Sequence, residues 1–223
     1  METVREAFRD ECVRLEAVLG ELTAADLDRP TPCPPWKVRD LVAHVRTGAG
    51  RLAGMLAEPA PPAAEVDAVT YFGAAKFTPE VDRDRVESAR RDGAALPGVP
   101  ATVADFARAW RATDEAVAAV PPGRVVRTRH GEPMTVTEFL RTRVVELAVH
   151  GLDLADALDR VPWLTPAAAR VTAAVLTGGR LVPDALAWDD VTLLRKVTGR
   201  APLTGDEAAR CDAAGLGGLS FSG

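Results

Sequence analysis

One segment constrains this chain more than any other: RTRVVELAVHGLDLADAL, residues 141–158, in which apolar residues surround nearly the whole helix axis. A helix that is apolar on all sides is normally buried in a protein core. A polar stripe nevertheless runs along one face of it, at steps of three, four and three residues: Arg143, Glu146, His150 and Asp153. Because an unpaired buried carboxylate is costly, this stripe requires a partner.

Two explanations of the stripe fit the sequence. One is a buried salt-bridge network, in which Arg143 pairs with Glu146 and His150 pairs with Asp153. The other is a metal site, because a glutamate and a histidine four residues apart on a helix point the same way and reach one ion. The spacing of Glu146 and His150 alone does not decide between them, since it is common in helices.

A second predicted helix supplies a third candidate ligand, His44, which flanks that helix's apolar face. Two neutral imidazoles and one carboxylate suit a divalent cation, and metal sites in helical bundles are built from inward side chains on facing helices. Three protein ligands leave a coordination position for water or substrate, which predicts a reactive site. Arg143 and Asp153 would then support the ligands, Asp153 by accepting the free N–H of His150.

The remaining long helices follow from apolar residues at steps of three and four. The first lies between Val4 and Leu22, and the second starts near Trp36, after a segment with four prolines. The third runs from about 102 to 120. The fourth, which carries the stripe, runs from about 135 to 158, with Thr135 and Glu138 as a predicted capping box.

These patterns predict a mainly α protein. Residues 1–160 are expected to form a four-helix bundle with a wide crossover at 57–100, which holds one short exposed helix at 82–91. A small hairpin is predicted around His130, which we place in a surface turn. Residues 161–223 are predicted to be a small helical region with short helices at about 166–176, 188–197 and 206–214.

Charge and composition exclude several classes of function. The formal net charge is −5 and no run of lysine or arginine offsets it, so we expect neither a nucleic-acid partner nor a membrane surface. No apolar stretch is long enough to cross a bilayer. The three cysteines, Cys12, Cys33 and Cys211, form no CxxC motif, which favours the reducing cytoplasm. Cys33 is interpreted as a packed small residue.

Two segments carry a family resemblance. TPCPPWKVRDLVAHV resembles the Pro-Gly-Trp-x-Val-x-Asp-Leu-x-x-His signature of the mycothiol-dependent maleylpyruvate isomerase family, actinobacterial type, in the DinB-like superfamily. RVVELAVHGLDLADAL resembles its second signature, Glu-x-x-x-His-x-x-Asp-Leu. The positions that match are Trp36, Val38, Asp40, Leu41, His44, Glu146, His150, Asp153 and Leu154. Pro35 stands where the signature has glycine.

The resemblance implies a DinB-like four-helix bundle that holds a divalent metal, often zinc, through His44, Glu146 and His150. It also implies a thiol cosubstrate, mycothiol or a similar low-molecular-weight thiol, which adds as a metal-bound thiolate to a small electrophilic substrate in an S-transfer or isomerisation. A monomer or homodimer is expected. The segment after Leu164 does not resemble the sterol-carrier-like domain that supplies a substrate-contacting arginine in the isomerase, so maleylpyruvate is not carried over as the substrate.

Two other functions remain open at this point. A non-catalytic metal-binding or stress-related protein of the same fold would also explain the ligands, because no Ser–His–Asp or Cys–His arrangement is readable. A zinc anti-sigma module usually has a His-x-x-x-Cys-x-x-Cys spacing, which this sequence lacks. We therefore rank the anti-sigma function last.

Overall fold

The computed structural model describes residues 1–72 and 78–216, and most of these are helical. The helices, in chain order, are α1 (Glu2–Gly20), α2 (Val38–Ala57), α3 (Ala68–Tyr71), α4 (Pro79–Ala94), α5 (Val99–Ala118), α6 (Val136–Ala157), α7 (Pro166–Leu176), α8 (Asp190–Val197) and α9 (Gly205–Ala213). Within the described residues, two short 3₁₀ segments lie at Asp26–Asp28 and Asp184–Leu186. In the described part of the chain, no helix is both long and apolar enough to span a bilayer.

Four long helices form the predicted bundle: α1, α2, α5 and α6. Each packs on two of the others, so that the order around the bundle is α1, α5, α2, α6. Apolar side chains of all four fill one core, among them Phe8, Leu41, Phe106 and Phe139, all fully buried. The predicted four-helix bundle is therefore confirmed, and α2 and α6, which carry the candidate ligands, are neighbours in it.

The predicted start of α2 was two residues early. Trp36 lies in the proline-rich loop and is buried, and the helix begins at Val38. The carboxylate of Asp40 accepts a hydrogen bond from the backbone N–H of Lys37 at 3.0 Å, which satisfies a donor that the first turn leaves free. Asp40 of the first signature thus has a local structural role.

The hairpin before α6 is present, and its capping prediction was half right. Strand β1 (Val125–Arg127) pairs antiparallel with β2 (Pro133–Thr135). The hydroxyl of Thr135 accepts from the N–H of Glu138 at 3.2 Å, as predicted. The Glu138 carboxylate does not return to the helix start, because it accepts from the N–H of Ala68 at 3.1 Å and so anchors α3.

The crossover holds a longer and more buried helix than predicted. Helix α4 spans Pro79–Ala94 rather than 82–91, and it packs against α2. Its Ala89 and Gly93 are buried, and a Cβ atom on Gly93 would lie 2.9 Å from the carbonyl oxygen of Arg39. The glycine therefore lets α4 approach α2 closely, so this charged segment is a wall of the fold and not only a solvated surface.

The three predicted C-terminal helices are present as α7, α8 and α9, the last two shifted by one or two residues. Helix α7 packs on α1 and α6, and α8 packs on α7 and α6. A second apolar cluster joins Leu176 and Leu194 to Val149 and Leu152 of α6. The region that follows the bundle thus lies against the helix that carries the polar stripe; its last residues, 217–223, are outside the described residues.

Candidate metal centre

The antiparallel packing of α2 and α6 brings the three candidate ligands together. His44 Nε2 lies 3.4 Å from Glu146 Oε2, and His150 Nε2 lies 3.3 Å from the same oxygen. One donor atom from each of the three residues falls within 4.8 Å of the others. Further along the same pair of helices, Gly48 of α2 faces the guanidinium of Arg143, which fixes the antiparallel direction.

The three side chains are nearly buried, with exposures of 21% for His44, 24% for Glu146 and 15% for His150. The Trp36 ring lies over His44, with ring centroids 4.8 Å apart, and closes one side of the site. Burial lowers the pKa of His44 to about 4, so this imidazole is neutral at physiological pH. A neutral imidazole is the form that binds a metal.

Asp153 holds His150 in place. Its Oδ2 accepts from Nδ1–H of His150 at 2.9 Å, which is the contact expected from the sequence and which leaves Nε2 directed at Glu146. Burial opposes the protonation of His150 more than any other single effect, but hydrogen bonds with Asp153, Cys33 and Glu146 together outweigh it and raise the pKa of His150 well above its usual value. The groups around His150 therefore stabilise a positive charge at this position.

Glu146 is correspondingly held ionised. Burial alone would raise its pKa, yet hydrogen bonds from His150 and His44 and the charge of Arg143 lower it well below the usual value. The site thus offers a carboxylate and a neutral imidazole beside a second imidazole flanked by two carboxylates. Nitrogen and oxygen donors of this kind suit Zn²⁺ and other divalent first-row metals, so the residues present fit a metal ion.

Of the two predicted salt bridges, one forms and one does not. His150 contacts Asp153, but among the described residues Arg143 has no carboxylate within salt-bridge distance. The Arg143 guanidinium lies instead over the Phe139 ring at 4.7 Å, and its Nε donates to the Thr142 hydroxyl at 3.1 Å. A simple ion-pair network therefore does not account for the whole stripe.

Two residues at the site were missed by the sequence reasoning. Arg200 forms a bidentate pair with Asp153, with both N–O distances 2.7 Å. Gly199, at φ +72°, ends α8 in the left-handed region, and the N–H of Arg200 then bonds the carbonyl of Arg195, which turns its side chain toward α6. A glycine after a helix that ends in basic residues is the only sequence signal for this contact.

Cys33 is the other missed residue, since the thiol does more than fill space. Its Sγ lies 3.3 Å from Asp153 Oδ2, to which it donates. Cys33, His150 and Asp153 also form a second group whose donor atoms are close enough to share one ion. The proline-rich loop therefore contributes a polar group to the site, which its composition did not indicate.

A cavity of about 810 Å³ opens onto the ligands. Residues of α2, α4, α6, the proline-rich loop and the loop after α8 line it, and the Arg85 guanidinium of α4 lies 5.9 Å from the Trp36 ring. His130, predicted in a surface turn, is also part of the lining, with its ring 6.2 Å from that of Tyr71. The volume is that of a small-molecule site.

Comparisons with known proteins agree with this architecture. The family profile described as "Mycothiol maleylpyruvate isomerase N-terminal domain" matches residues 8–155. Two crystal structures of the mycothiol-dependent maleylpyruvate isomerase, the first of them a histidine-to-alanine mutant, superpose with TM-scores of 0.57 and 0.54 at 18% identity. They cover 79% of this chain and 69% of theirs, and the likeness shows a shared fold.

Curated relatives give less functional information. Two uncharacterized proteins of Mycobacterium tuberculosis, one from each of two strains, are 28% identical over 155 residues, which is 68% of this chain. The chain spans about half the length of these relatives, since the match covers 54% of them.

Proposed function

The chain belongs to the family of the mycothiol maleylpyruvate isomerase N-terminal domain, and on that premise we propose that it is a divalent-metal enzyme dependent on a low-molecular-weight thiol. The thiol is mycothiol or a similar molecule, and the reaction is an S-transfer to, or an isomerisation of, a small electrophilic substrate. His44, Glu146 and His150 are the proposed ligands, and zinc is the proposed metal.

The observation that carries this proposal is that the three partly buried donors face an open cavity. The donor atoms of His44, Glu146 and His150 line a space of about 810 Å³. A purely structural metal site is normally closed by four protein ligands, whereas three ligands beside a cavity leave room for a reactant. The cavity therefore favours an enzyme over the non-catalytic metal-binding protein that the sequence left open.

Each residue has a defined task in this proposal. A divalent ion held here supplies positive charge that favours the thiolate form of a thiol cosubstrate. Asp153 accepts the Nδ1–H of His150 and so leaves Nε2 as the ring atom that faces Glu146, where a bound metal ion would take the place of the Nε2 proton. Arg200 orients Asp153 in turn, and Trp36 covers His44 and excludes water from that side.

Calorimetry with mycothiol tests the proposal. Zinc-loaded protein is titrated with the thiol, and the same titration is repeated on protein stripped of metal by a chelator. We expect saturable binding that the stripped protein loses and regains on reloading with zinc. Protein that binds zinc but gives no heat with mycothiol would contradict the thiol-dependent function and favour the non-catalytic alternative.

A further inference from the structure

Three arginines line the part of the cavity beyond the donor triad: Arg51 of α2, Arg143 of α6 and Arg129 of the hairpin loop. They form a series from the interior outward, since Arg143 is buried, Arg51 is half-buried and Arg129 is exposed. The pKa of Arg51 is lowered, first by burial and then by the positive charges of Arg129 and Arg143, so the three guanidiniums are close enough to repel one another. The guanidiniums therefore share one region of the cavity.

None of the three has a carboxylate within salt-bridge distance in residues 1–72 and 78–216. Arg143 donates to the Thr142 hydroxyl and Arg129 to His130 Nε2, both neutral groups in these contacts. Over the same described residues, Arg51 has neither an ion pair nor a hydrogen bond to another protein group. Tyr71 and the Glu146 carboxylate raise the pKa of Arg51, but burial and the two neighbouring arginines outweigh them and lower it.

Other arginines that line the cavity are paired with acids. Arg85 contacts Asp82 at 2.8 Å, Arg91 contacts Asp92 at 3.4 Å, and Arg200 contacts Asp153 at 2.7 Å. Among the described residues, the arginines at the α4 wall and beside His150 thus have carboxylate partners, and those at the Arg51 end have none within salt-bridge distance. Clustered, partly desolvated like charges are unfavourable unless a ligand of opposite charge joins them.

Helix geometry sets the distance of this cluster from the donor triad. Arg51 follows His44 by seven residues on α2, and Arg143 precedes His150 by seven on the antiparallel α6. Seven residues advance a helix by about 10 Å, or two turns, so both arginines lie at the same level along the cleft. Arginine side chains are long enough to reach part of the way back toward the triad.

We propose that Arg51, Arg129 and Arg143 bind a carboxylate of the electrophilic substrate, about two helical turns from the donor triad. The inference rests on the proposed function, because it needs the reacting sulfur at the triad. It assigns the residues of this chain that would recognise an acidic substrate whose carboxylate and electrophilic carbon are separated by several bonds. It also places the anion-binding group in the bundle itself rather than in the region after residue 160.

Sulfur-tethered carboxylates test this directly, because they resemble the adduct of a thiol and an acidic substrate. Zinc-loaded protein is titrated with 6-mercaptohexanoate and with its neutral counterpart 6-mercaptohexan-1-ol, and the short pair 3-mercaptopropanoate and 3-mercaptopropan-1-ol follows. We expect the long acid to bind about tenfold more tightly than the long alcohol, since a charge-assisted contact is worth that much. The short acid does not reach the three arginines, so its affinity should exceed that of the short alcohol by a smaller factor.

Variants assign the gain to the cluster. R51Q should remove most of the preference for the long acid and leave the affinity for the long alcohol unchanged, and R51K should retain part of the preference. R91Q is the matched control, because it removes a cavity-lining charge that Asp92 already pairs, and it should behave as the wild type. Arg51 makes no protein ion pair or hydrogen bond among the described residues, so R51Q should keep the wild-type melting temperature.

The outcomes separate the two proposals. An alcohol that binds with no added affinity for the long acid overturns the carboxylate site and leaves the thiol-dependent function standing. If the short acid gains as much affinity over its alcohol as the long acid does, or if R91Q loses the preference for the long acid as fully as R51Q does, the carboxylate site is overturned. The preference would then reflect the overall positive charge of the cavity. Binding of neither thiol overturns both proposals.

Discussion

At the scale of single residues, Asp153 is the group on which the proposed site most depends. It is 2% exposed, and it accepts from His150, from the thiol of Cys33 and from both nitrogens of the Arg200 fork. Burial would raise its pKa, but the hydrogen bonds from His150 and Arg200 outweigh that effect and hold the pKa below the ordinary aspartate value. One carboxylate thus links α6, the proline-rich loop and the turn after α8.

Asp153→Asn should therefore weaken metal binding without removing a proposed ligand. The amide oxygen of the asparagine can still accept from His150. The negative charge that orients the His150 ring and pairs with Arg200 is lost. Loss of such a supporting carboxylate typically lowers metal affinity by about 10- to 100-fold. Competition with a chromophoric chelator measures the change.

Asp156→Asn is the matched control for that experiment. Asp156 lies on the same helix, one turn further on, and pairs with Arg195 at 2.6 Å, with 39% of its side chain exposed. The formal charge changes equally in the two variants, but only Asp153 touches His150. An equal loss of affinity in both variants would mean that the net charge of the region, not the His150 contact, sets zinc binding.

The residues of the site could be predicted from the sequence only where they interrupt the apolar pattern of a helix. Glu146, His150 and Asp153 break an apolar pattern on one helix, so the sequence singles them out. Arg200 and Cys33 reach the same carboxylate from 47 and 120 residues away, in segments without periodicity. Only the folded chain reveals such contacts, because they depend on how a loop and a helix end are oriented.

At the scale of elements, helix α4 is held against α2 by a close backbone approach. A Cβ atom on Gly93 would lie 2.9 Å from the Arg39 carbonyl oxygen and 3.0 Å from Asp40 Oδ1. Since Asp40 also caps α2, an added methyl group has little space to move into. Helix α4 forms a cavity wall, so this contact sets the width of the cleft.

Gly93→Ala should destabilise the fold by about 1–3 kcal/mol, because overpacking displaces backbone. Gly54→Ala is its control: that exposed glycine of α2 has nothing within 4 Å of an added Cβ, and alanine there should stabilise by about 0.5–1 kcal/mol. Urea unfolding gives both values. A Gly93→Ala variant as stable as Gly54→Ala would show that α4 does not pack this closely in solution.

Another element contact joins α1 to the region after the bundle. Glu11, 1% exposed, accepts from the N–H of Thr165, which caps α7, at 3.0 Å. Burial raises the pKa of Glu11, and the Thr165 hydrogen bonds offset only part of that rise. An acid whose pKa is raised on folding stabilises the fold when protonated, and this contribution is lost as the pH rises through the folded-state pKa.

The unfolding free energy of the wild type should thus carry a contribution that declines as the pH rises from the ordinary glutamate value of 4.5 through the raised pKa of Glu11. Glu11→Gln keeps an oxygen for the Thr165 contact and does not titrate, so it should remove that decline. Glu6→Gln, at an exposed position on α1, should keep it. Urea unfolding over a pH series measures the slopes, and identical slopes for wild type and Glu11→Gln would refute the prediction.

Elements were more predictable than their contacts. The four long helices follow from apolar spacing, and Thr135 caps α6 as its sequence suggests. Glu138, by contrast, serves a tertiary contact with Ala68 instead of the local box, because a folded chain offers it a second free N–H. Similarly, the sequence of α4 is mostly charged, so its pattern does not single out Ala89 and Gly93, the two small residues that pack against α2.

At the scale of the whole molecule, the bundle provides one apolar core and a cleft in which charge is concentrated. The donor triad lies between α2 and α6, and Arg51 and Arg143 lie about two turns away. Helix α4 and the turn after α8 form the sides of the cleft. The fold class follows from the sequence, since helix lengths and apolar faces leave few alternatives to a bundle. The cleft does not, because it is built from the crossover and the C-terminal turn.

The central claim is that His44, Glu146 and His150 together hold a divalent metal, and elemental analysis tests it most directly. Protein purified without any metal-affinity step should contain about one divalent ion per chain. His44→Ala and His150→Ala, checked for folding by circular dichroism, should lose it, whereas His130→Ala, which alters a cavity histidine outside the triad, should keep it. Full metal content in folded His44→Ala and His150→Ala would contradict the account.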